Sequence, residues 1–237
     1  MYGICRLGIK LFKRQISMSI IGNGTQQASQ TSISTVVLLC LVMAAFFFLN
    51  FSPWSAGLYN FWLVMLIATG TVAGTALALD RKILAPVYAF KPVYILIGAA
   101  SAALLYLVFY LGNMASTSLF EFAQPQIAGI YSAREEAPPW LIGLMVVLWI
   151  GPAEEMFWRG FVQRRLALRH GALAGFIVTS LVYTLVHIWG LNFMLLAAAL
   201  ICGLFWGAMF LLYRSVWPGL ISHALWDLAI FVVFPIY

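Results

Sequence analysis

Apolar residues run along this chain in long blocks, and polar residues collect in the short stretches between them. Seven of these blocks are close to the ~20 residues that a helix needs to cross a bilayer. The pattern therefore predicts an all-α, polytopic transmembrane helix bundle of seven spans, plus or minus one. The predicted spans are Val36–Asn50, Tyr59–Leu79, Val93–Leu111, Trp140–Val162, Ala174–Trp189, Phe193–Tyr213 and Leu220–Tyr237.

The basic residues between the spans indicate how the chain is oriented. Cytoplasmic loops of membrane proteins carry an excess of lysine and arginine. Every second connection is basic here, beginning with the N-terminal segment, and the basic positions are Arg6, Lys10, Lys13, Arg14, Arg81, Lys82, Lys91, Arg164, Arg165, Arg169 and Arg214. The other connections are uncharged or, between Gly112 and Pro139, hold Arg134 against three glutamates. We therefore expect a cytoplasmic N-terminus and an outside C-terminus.

Composition supports a membrane protein and argues against a nucleic-acid-binding one. The chain of 237 residues is 64% hydrophobic and 8% charged, which is not the composition of a soluble domain. The net charge of +6 is spread between apolar blocks, so it sets topology and does not form a phosphate-binding face. The expected surroundings are therefore a lipid bilayer.

Three segments are expected along the chain. Residues 1–34 form a basic N-terminal segment with a polar linker, and its first part is either an amphipathic helix on the membrane surface or a disordered cytoplasmic tail. Residues 35–139 hold the first spans and a long outer loop. The apolar residues of that loop, Gly112–Pro139, indicate an interfacial or re-entrant segment that covers the bundle. Residues 140–237 hold the remaining spans and the candidate catalytic residues.

Charged residues inside the fourth span are the strongest indication of function. A charged side chain at mid-membrane costs ~2.5–3.5 kcal/mol, so ionisable groups there are functional candidates. Glu155 and Arg159 are four residues apart, with the acid first, which favours an ion pair within the helix. Glu154 points about 100° away from Glu155 and is therefore free for another role. Pro152 removes a backbone donor shortly before it and is expected to bend or loosen the helix.

Two further spans bring histidines to a similar depth. Glu154 and His187 lie on either side of the turn at Arg169–Gly171, so both are ~25 Å from that turn in a helical hairpin. We expect the basic turn to project into the cytoplasm, which places the two residues nearer the inner side of the bilayer. His223 and Asp227 share one face of the last span, four residues apart. Taken singly, each histidine could equally well be a structural residue that bonds a neighbouring carbonyl.

This set of residues suits the activation of water. A carboxylate can take a proton from water while histidines position or polarise a carbonyl group. The chain lacks the GxSxG motif of serine hydrolases and the HExxH motif of zinc proteases. We therefore expect Glu154, His187, His223 and Asp227 to surround one cavity and to activate water there for attack on a carbonyl group.

The same residues resemble a known family. The order E154-E155-x-x-x-R159, then Y183-x-x-x-H187, then H223-x-x-x-D227 is similar to the CAAX protease and bacteriocin-processing (CPBP, or Abi) family, which includes the type II CAAX prenyl endopeptidases. The resemblance spans roughly Leu144–Val232. It departs at Tyr183, where the family usually has Phe, and at Asp227, where the prenyl endopeptidases have Asn.

The resemblance implies a role for each residue. Glu154 would be the general base acting on water, with His187 as its partner. His223 and the residue at position 227 would support the oxyanion, while Glu155, Arg159 and Tyr183 would be accessory. An ionised carboxylate cannot donate a hydrogen bond, so Asp227 must be protonated or act through His223.

The resemblance leaves alternatives for mechanism and function. We expect no metal cofactor, although Glu154, His187 and His223 could form a zinc site with the ligand pattern of several zinc enzymes. The expected function is hydrolysis of a peptide bond near the cytoplasmic side of the membrane, with a peptide or membrane protein as substrate, such as a signal peptide or a bacteriocin-like peptide. The expected location is a bacterial inner or plasma membrane. The alternatives are a non-enzymatic immunity protein and a proton-coupled transporter, since intramembrane Glu and His chains also relay protons.

Overall fold

The computed structural model describes residues 32–80 and 86–237 as a helical chain. The expected N-terminal amphipathic helix or tail, most of the linker, and the basic residues Arg81 and Lys82 lie outside the described residues. One hydrophobic core contains residues from all the long helices, from Val36 near the start to Ile236 near the end.

Eight helices follow one another along the described residues. They are α1 (Ile33–Phe51), α2 (Phe61–Asp80), α3 (Val93–Leu119), α4 (Ala123–Tyr131), α5 (Pro139–His170), α6 (Ala172–Leu185), α7 (Phe193–Tyr213) and α8 (Trp217–Val233). A short 3₁₀ turn, Ser132–Glu136, follows α4, and another, Ile188–Gly190, follows α6.

The number of membrane-crossing helices agrees with the prediction. Six helices are long and apolar enough to span a bilayer, and α8 is a shorter apolar helix. The helices α1, α2, α3, α5, α6 and α7 are the six, with α6 extended by the turn to Gly190. A polytopic helix bundle is therefore confirmed, and α4 is the short helix that does not cross.

The turn predicted at Arg169–Gly171 lies where it was expected, but the expected placement of Arg164 and Arg165 in the loop is wrong. Helix α5 continues past Val162 to His170, and of the basic residues in this stretch only Arg169 and His170 are exposed. The side chains of Arg164 and Arg165 are buried and form ion pairs with the two carboxylate oxygens of Asp80, at the end of α2. The physical reason is that one buried acid neutralises both arginines, so the helix can continue through them.

Helix α5 changes its winding on both sides of Glu154. Residues Val146–Ile150 and Met156–Gln163 are π-helical, and the α-helical stretch between them is Gly151–Glu155. Pro152 lies in that stretch and has no N–H to donate, which agrees with the expected loosening. Single π-turns within α-helices often occur at functional sites because they turn side chains out of the regular helical order.

Glycines allow the helices that carry the site to pack closely. A Cβ on Gly175 of α6 would lie 2.5 Å from the backbone nitrogen of Ala167 in α5. Gly171, at the turn between these helices, has a φ of 91°, a conformation that side chains disfavour. The α5–α6 hairpin is therefore tight, and α6 lies directly against the residues that follow Glu154.

Helix α4 covers one end of the bundle, as the apolar residues of the long outer loop predicted. Gln126 accepts a hydrogen bond from the backbone of Met194 at the start of α7, and its carbonyl accepts one from Asn192. Glu136 accepts one from the backbone of Phe61 at the start of α2. Tyr131 accepts one from the backbone of Ile236, and burial raises the pKa of Tyr131 above its usual value. These bonds fix the α4 segment to three parts of the bundle.

Candidate active site

The predicted catalytic residues line one cavity. Its volume is about 400 Å³, and Glu154, His187, His223 and Asp227 are all in its wall. Tyr183, predicted as accessory, lines it as well. The rest of the wall is mainly apolar and aromatic, and Trp62, Phe109, Phe120, Trp226 and Phe231 are among its members. Four polar residues that the sequence singled out on three helices therefore do share a cavity.

The two neighbouring glutamates have different surroundings. Glu155 is completely buried and accepts hydrogen bonds from Arg159, at 2.7 Å, and from His223. Glu154 lines the cavity and has no hydrogen bond or ion pair to another described residue. The expected division, with Glu155 paired and Glu154 free, agrees with this geometry.

Arg159 joins three helices behind the cavity. Besides Glu155 in its own helix, it donates to the carbonyl groups of Cys202 and Gly203 in α7. Its guanidinium lies 5.0 Å from the ring centre of Tyr183 in α6. Buried charges need such partners, because an unpaired one costs several kcal/mol. Arg159 therefore holds the helices that carry Glu154 and His187 in a fixed arrangement.

His223 lies between two carboxyl groups. Its Nδ1 is 3.0 Å from Oε1 of Glu155, and its Nε2 is 3.4 Å from Oδ2 of Asp227. A carboxylate only accepts, so Nδ1 carries hydrogen whenever Glu155 is ionised. The imidazole can then be protonated and face two carboxylates, or be neutral beside a protonated Asp227. In both states the carboxyl group of Asp227 faces His223. An action of Asp227 through His223 is one of the two possibilities that the sequence left for Asp227.

Stacking fixes the plane of the His223 ring. The indole of Trp206 in α7 lies nearly parallel to it, with ring centres 3.7 Å apart. Trp206 is itself fully buried and donates to Ser222. On α8, Gly219 lies where a Cβ would be 2.9 Å from Oε2 of Glu155, so a glycine is needed for the close approach. The ring has little freedom to turn away from its two carboxyl groups.

His187 presents one ring nitrogen to the cavity as an acceptor. Its Nδ1 lies 2.8 Å from the carbonyl oxygen of Tyr183. A carbonyl oxygen only accepts, so Nδ1 is the donor and Nε2 of the neutral ring is an acceptor. Phe47 and Phe51 of α1 pack against the ring at centre distances of 4.8 and 5.5 Å. The imidazole is therefore held by its packing and can accept a hydrogen bond from water.

The distance of the cavity from the basic turn agrees with the predicted value of ~25 Å. His187 is three residues from Gly190, where its span ends, and fifteen from Ala172 at the basic turn. At 1.5 Å per residue this places His187 ~22 Å from the basic turn, in a hydrocarbon core ~30 Å thick. The site thus lies toward the end of the bundle that α4 covers.

The side chains do not fit the alternative of a zinc site formed by Glu154, His187 and His223. Among residues 32–80 and 86–237, no group of three His, Cys, Asp or Glu side chains is placed to hold a metal. His223 has one ring nitrogen bonded to Glu155 and the other facing Asp227, so neither is free for a metal. Metal-free hydrolysis remains a prediction, and no step below uses a metal.

Two features of the site were not found from the sequence. Trp206 is one of many aromatic residues in apolar spans, and nothing in its spacing marks it as the partner of His223. Asn113 of α3 is the second; it lines the cavity, and its side-chain oxygen is buried and has no hydrogen-bond partner in the described part of the chain. A polar residue near the end of a predicted apolar span was a signal that could have identified it.

Comparison with known proteins supports the family resemblance. Residues 136–229 match the family model of the type II CAAX prenyl endopeptidase Rce1-like proteins. The matched residues contain the three motifs. They also contain the polar residues of the cavity wall that come from α5, α6 and α8, which are Glu154, Tyr183, His187, His223 and Asp227. Comparison with the curated proteins and with the solved structures found no match to this chain.

Proposed function

We propose that this protein, whose residues 136–229 match a family of prenyl endopeptidases, hydrolyses peptide bonds inside the membrane with water activated by Glu154. The observation that carries the proposal is the difference between the two glutamates. Glu155 is bonded to Arg159 and His223, whereas Glu154 faces a cavity that also contains both histidines. A carboxylate that faces a cavity beside two imidazoles is a suitable general base.

Each step of hydrolysis can be assigned to a side chain of the cavity. Glu154 takes one proton from water, and His187 accepts the other hydrogen of that water at Nε2 and so orients it. The water oxygen forms a bond to the carbonyl carbon of the peptide, and the carbonyl oxygen becomes an oxyanion. The C–N bond then breaks, and Glu154 returns its proton to the departing amine.

His223 is the proposed stabiliser of the oxyanion. A protonated imidazole donates from Nε2, and the facing Asp227 balances its charge. When the oxyanion forms, Nε2 can donate to it, while Nδ1 keeps its bond to Glu155. The roles of Glu155 and Arg159 are to hold His223 and the helices in place. This assignment agrees with the roles that the family resemblance implies.

The cavity wall favours an apolar substrate. Aromatic and aliphatic side chains make up most of it, so a peptide segment of similar character would bury its side chains there. A signal peptide, a bacteriocin-like peptide or a segment of a membrane protein meets this requirement. The expected location in a bacterial inner or plasma membrane fits these substrates.

The test is the Glu154→Gln variant of the purified protein in detergent. Its substrate is a library of internally quenched fluorescent peptides that each contain an apolar segment. We expect the wild type to cleave at least one member and the variant to be about 10³-fold slower, since general base catalysis contributes 10²–10⁴-fold. Glu135→Gln, a change at an exposed acid outside the cavity, should cleave like the wild type.

The same variant separates the proposal from its alternatives. A proton-coupled transporter would show altered proton-dependent uptake with Glu154→Gln and no peptide cleavage by the wild type. A non-enzymatic binding protein would cleave nothing and would bind its partner equally well with either residue. Cleavage by the wild type that persists unchanged in Glu154→Gln would contradict the assigned role of this residue.

A further inference from the structure

The cavity occupies only one half of the bundle. We call the half that carries the end of α2, the connection at residues 86–92, the turn at Arg169–Gly171 and Arg214 the basic half. The opposite half, which α4 covers, is the cavity half. Lining residues come from the late part of α1 and α3 and the early part of α2, α5 and α7, such as Phe51, Trp62, Ser116, Val146 and Met194. No lining residue lies in the connections of the basic half that the structure describes.

The basic half is closed by a packed layer directly below Glu154. Seven α5 side chains between residues 155 and 163 are each at most 1% exposed, and they are Glu155, Phe157, Trp158, Arg159, Phe161, Val162 and Gln163. Gln163 donates to the carbonyl of Gly207 in α7. Further along α5, Asp80 binds Arg164 and Arg165. These packed side chains close the path along α5 from the basic half to Glu154.

The cavity half has an opening between α3 and α7. Four large apolar residues of the cavity wall are exposed, and all lie on these helices or at their ends: Val108, Phe120, Phe193 and Ile201. The main packing partner of α3 is α8, and that of α7 is α6. The two helices thus leave between them a gap whose walls are apolar and face lipid.

The charges of the chain orient this opening. The chain has thirteen lysines and arginines. Eleven of them, all except Arg134 and Arg159, belong by their position in the sequence to the basic half. Only Arg134 lies at the other end, near Glu121, Glu135 and Glu136. The excess of basic residues on cytoplasmic connections places the basic half toward the cytoplasm and the cavity half toward the outer face.

We infer that the substrate reaches Glu154 from the outer half of the membrane, through the opening between α3 and α7. The inference rests on the proposed function and names its substrate class: an exported peptide or protein with an apolar segment in the outer leaflet. The segment enters sideways between the two helices, and its scissile bond passes below α4 to the polar residues. This replaces the approach from the cytoplasmic side that the sequence led us to expect.

Side-specific labelling of introduced cysteines tests the inference. The full chain is expressed in a bacterial inner membrane, and Ser116→Cys and Phe193→Cys report on the opening, whereas Arg169→Cys reports on the exposed basic turn. Right-side-out spheroplasts and inverted vesicles are treated with a membrane-impermeant maleimide, and the wild type, which has its own cysteines, gives the background. Labelling after detergent extraction serves as the measure of full reactivity.

The inference requires opposite results for the two sites. Ser116→Cys or Phe193→Cys should label in spheroplasts to at least half of its detergent value and in inverted vesicles at least tenfold less, while Arg169→Cys should show the reverse. Labelling of the opening only in inverted vesicles would overturn the inference. So would equal labelling from both sides, labelling only in detergent, or labelling of Arg169→Cys in spheroplasts.

A second measurement connects the labelled opening with the reaction. Spheroplasts carrying Ser116→Cys are labelled from outside with a bulky maleimide, the protein is extracted, and cleavage of the fastest-cut peptide of the library is measured. We expect labelled protein to be at least tenfold slower than the same variant without label. Full activity after complete labelling would contradict an approach through this opening. If no peptide is cut by the wild type, the proposed function fails, whereas the labelling result still decides the side of access.

Discussion

The two halves of the bundle use buried charges in opposite ways. In the basic half, Arg164 and Arg165 share the carboxylate of Asp80, inside a layer of packed side chains. In the cavity half, Glu154 faces a cavity of about 400 Å³, and no cation of the described residues is paired with it. Charges that satisfy one another stabilise the fold, and charges left facing a cavity are available for chemistry. Partners and packing, more than burial alone, separate the structural from the catalytic groups.

The largest effect expected in the basic half is on stability. Asp80→Asn leaves two buried guanidinium groups without their shared carboxylate, and breaking a buried ion pair typically costs about 3–5 kcal/mol. Thermal unfolding of the purified protein in detergent should therefore move to a clearly lower temperature. Cleavage per folded molecule, measured well below that temperature, should stay within about twofold of the wild type.

Glu121→Gln is the matched control for Asp80→Asn, because it removes an exposed acid. It should change neither stability nor cleavage. If Asp80→Asn were as stable as the wild type, or if it abolished cleavage in the folded protein, the basic half would not be the purely structural region described here.

In the cavity half, Glu154→Gln is expected to have the largest effect. The next largest is expected for His187→Phe, which should lower the cleavage rate. The phenyl ring keeps the packing against Phe47 and Phe51 but lacks Nε2, which is proposed to orient the water. We expect cleavage to fall about 10²-fold with stability nearly unchanged. Phe51→Leu disturbs the same packing and retains Nε2, so it should cost less than tenfold, and an equal loss in both variants would assign His187 a packing role only.

Part of the candidate site could be predicted from the sequence alone. Charged residues within apolar blocks identified Glu154, Glu155 and Arg159, because a bilayer makes such residues costly to place without a purpose. Spacing of four residues correctly predicted the pair of Glu155 with Arg159 and the shared face of His223 and Asp227. The family match over residues 136–229 confirms the resemblance that these motifs indicated.

The parts that the sequence could not supply depend on contacts between distant helices. The sequence predicted Arg164 and Arg165 as loop residues, because their partner, Asp80, is more than eighty positions earlier in the chain. The stacking of Trp206 on His223 needs the packing of α7 on α8 to be known. The side of the bundle that the cavity opens to depends on which helices fail to touch, and hydropathy carries no information about that.

A smaller change is expected for Asp227→Asn. The amide keeps the size of the carboxyl group and can still accept from His223 or donate to it, and the prenyl endopeptidases have Asn at the corresponding place. Cleavage should fall by less than about tenfold. Asp227→Leu, of similar volume but without polar atoms, should be about 10²-fold slower, because His223 then loses the group that faces Nε2. Equal rates for the two variants would remove Asp227 from the account.

The smallest effect is expected from chelation. Since both nitrogens of His223 face carboxyl groups, a zinc-binding chelator should leave the cleavage rate within about 20% of its value, and the purified protein should contain less than one-tenth equivalent of zinc. A stoichiometric metal that is lost together with activity, and restored with it, would return Glu154, His187 and His223 to consideration as ligands.

The central claim is that Glu154 and the two histidines act on one peptide bond in a cavity closed to the basic half. An experimental structure of Glu154→Gln with an uncut peptide tests it most directly. We predict the scissile carbonyl carbon within ~3.5 Å of a water or of the substituted side-chain amide, its oxygen beside His223, and the flanking chain leaving between α3 and α7. A peptide bound away from these residues, or one leaving through the layer of Phe157 and Phe161, would contradict the claim.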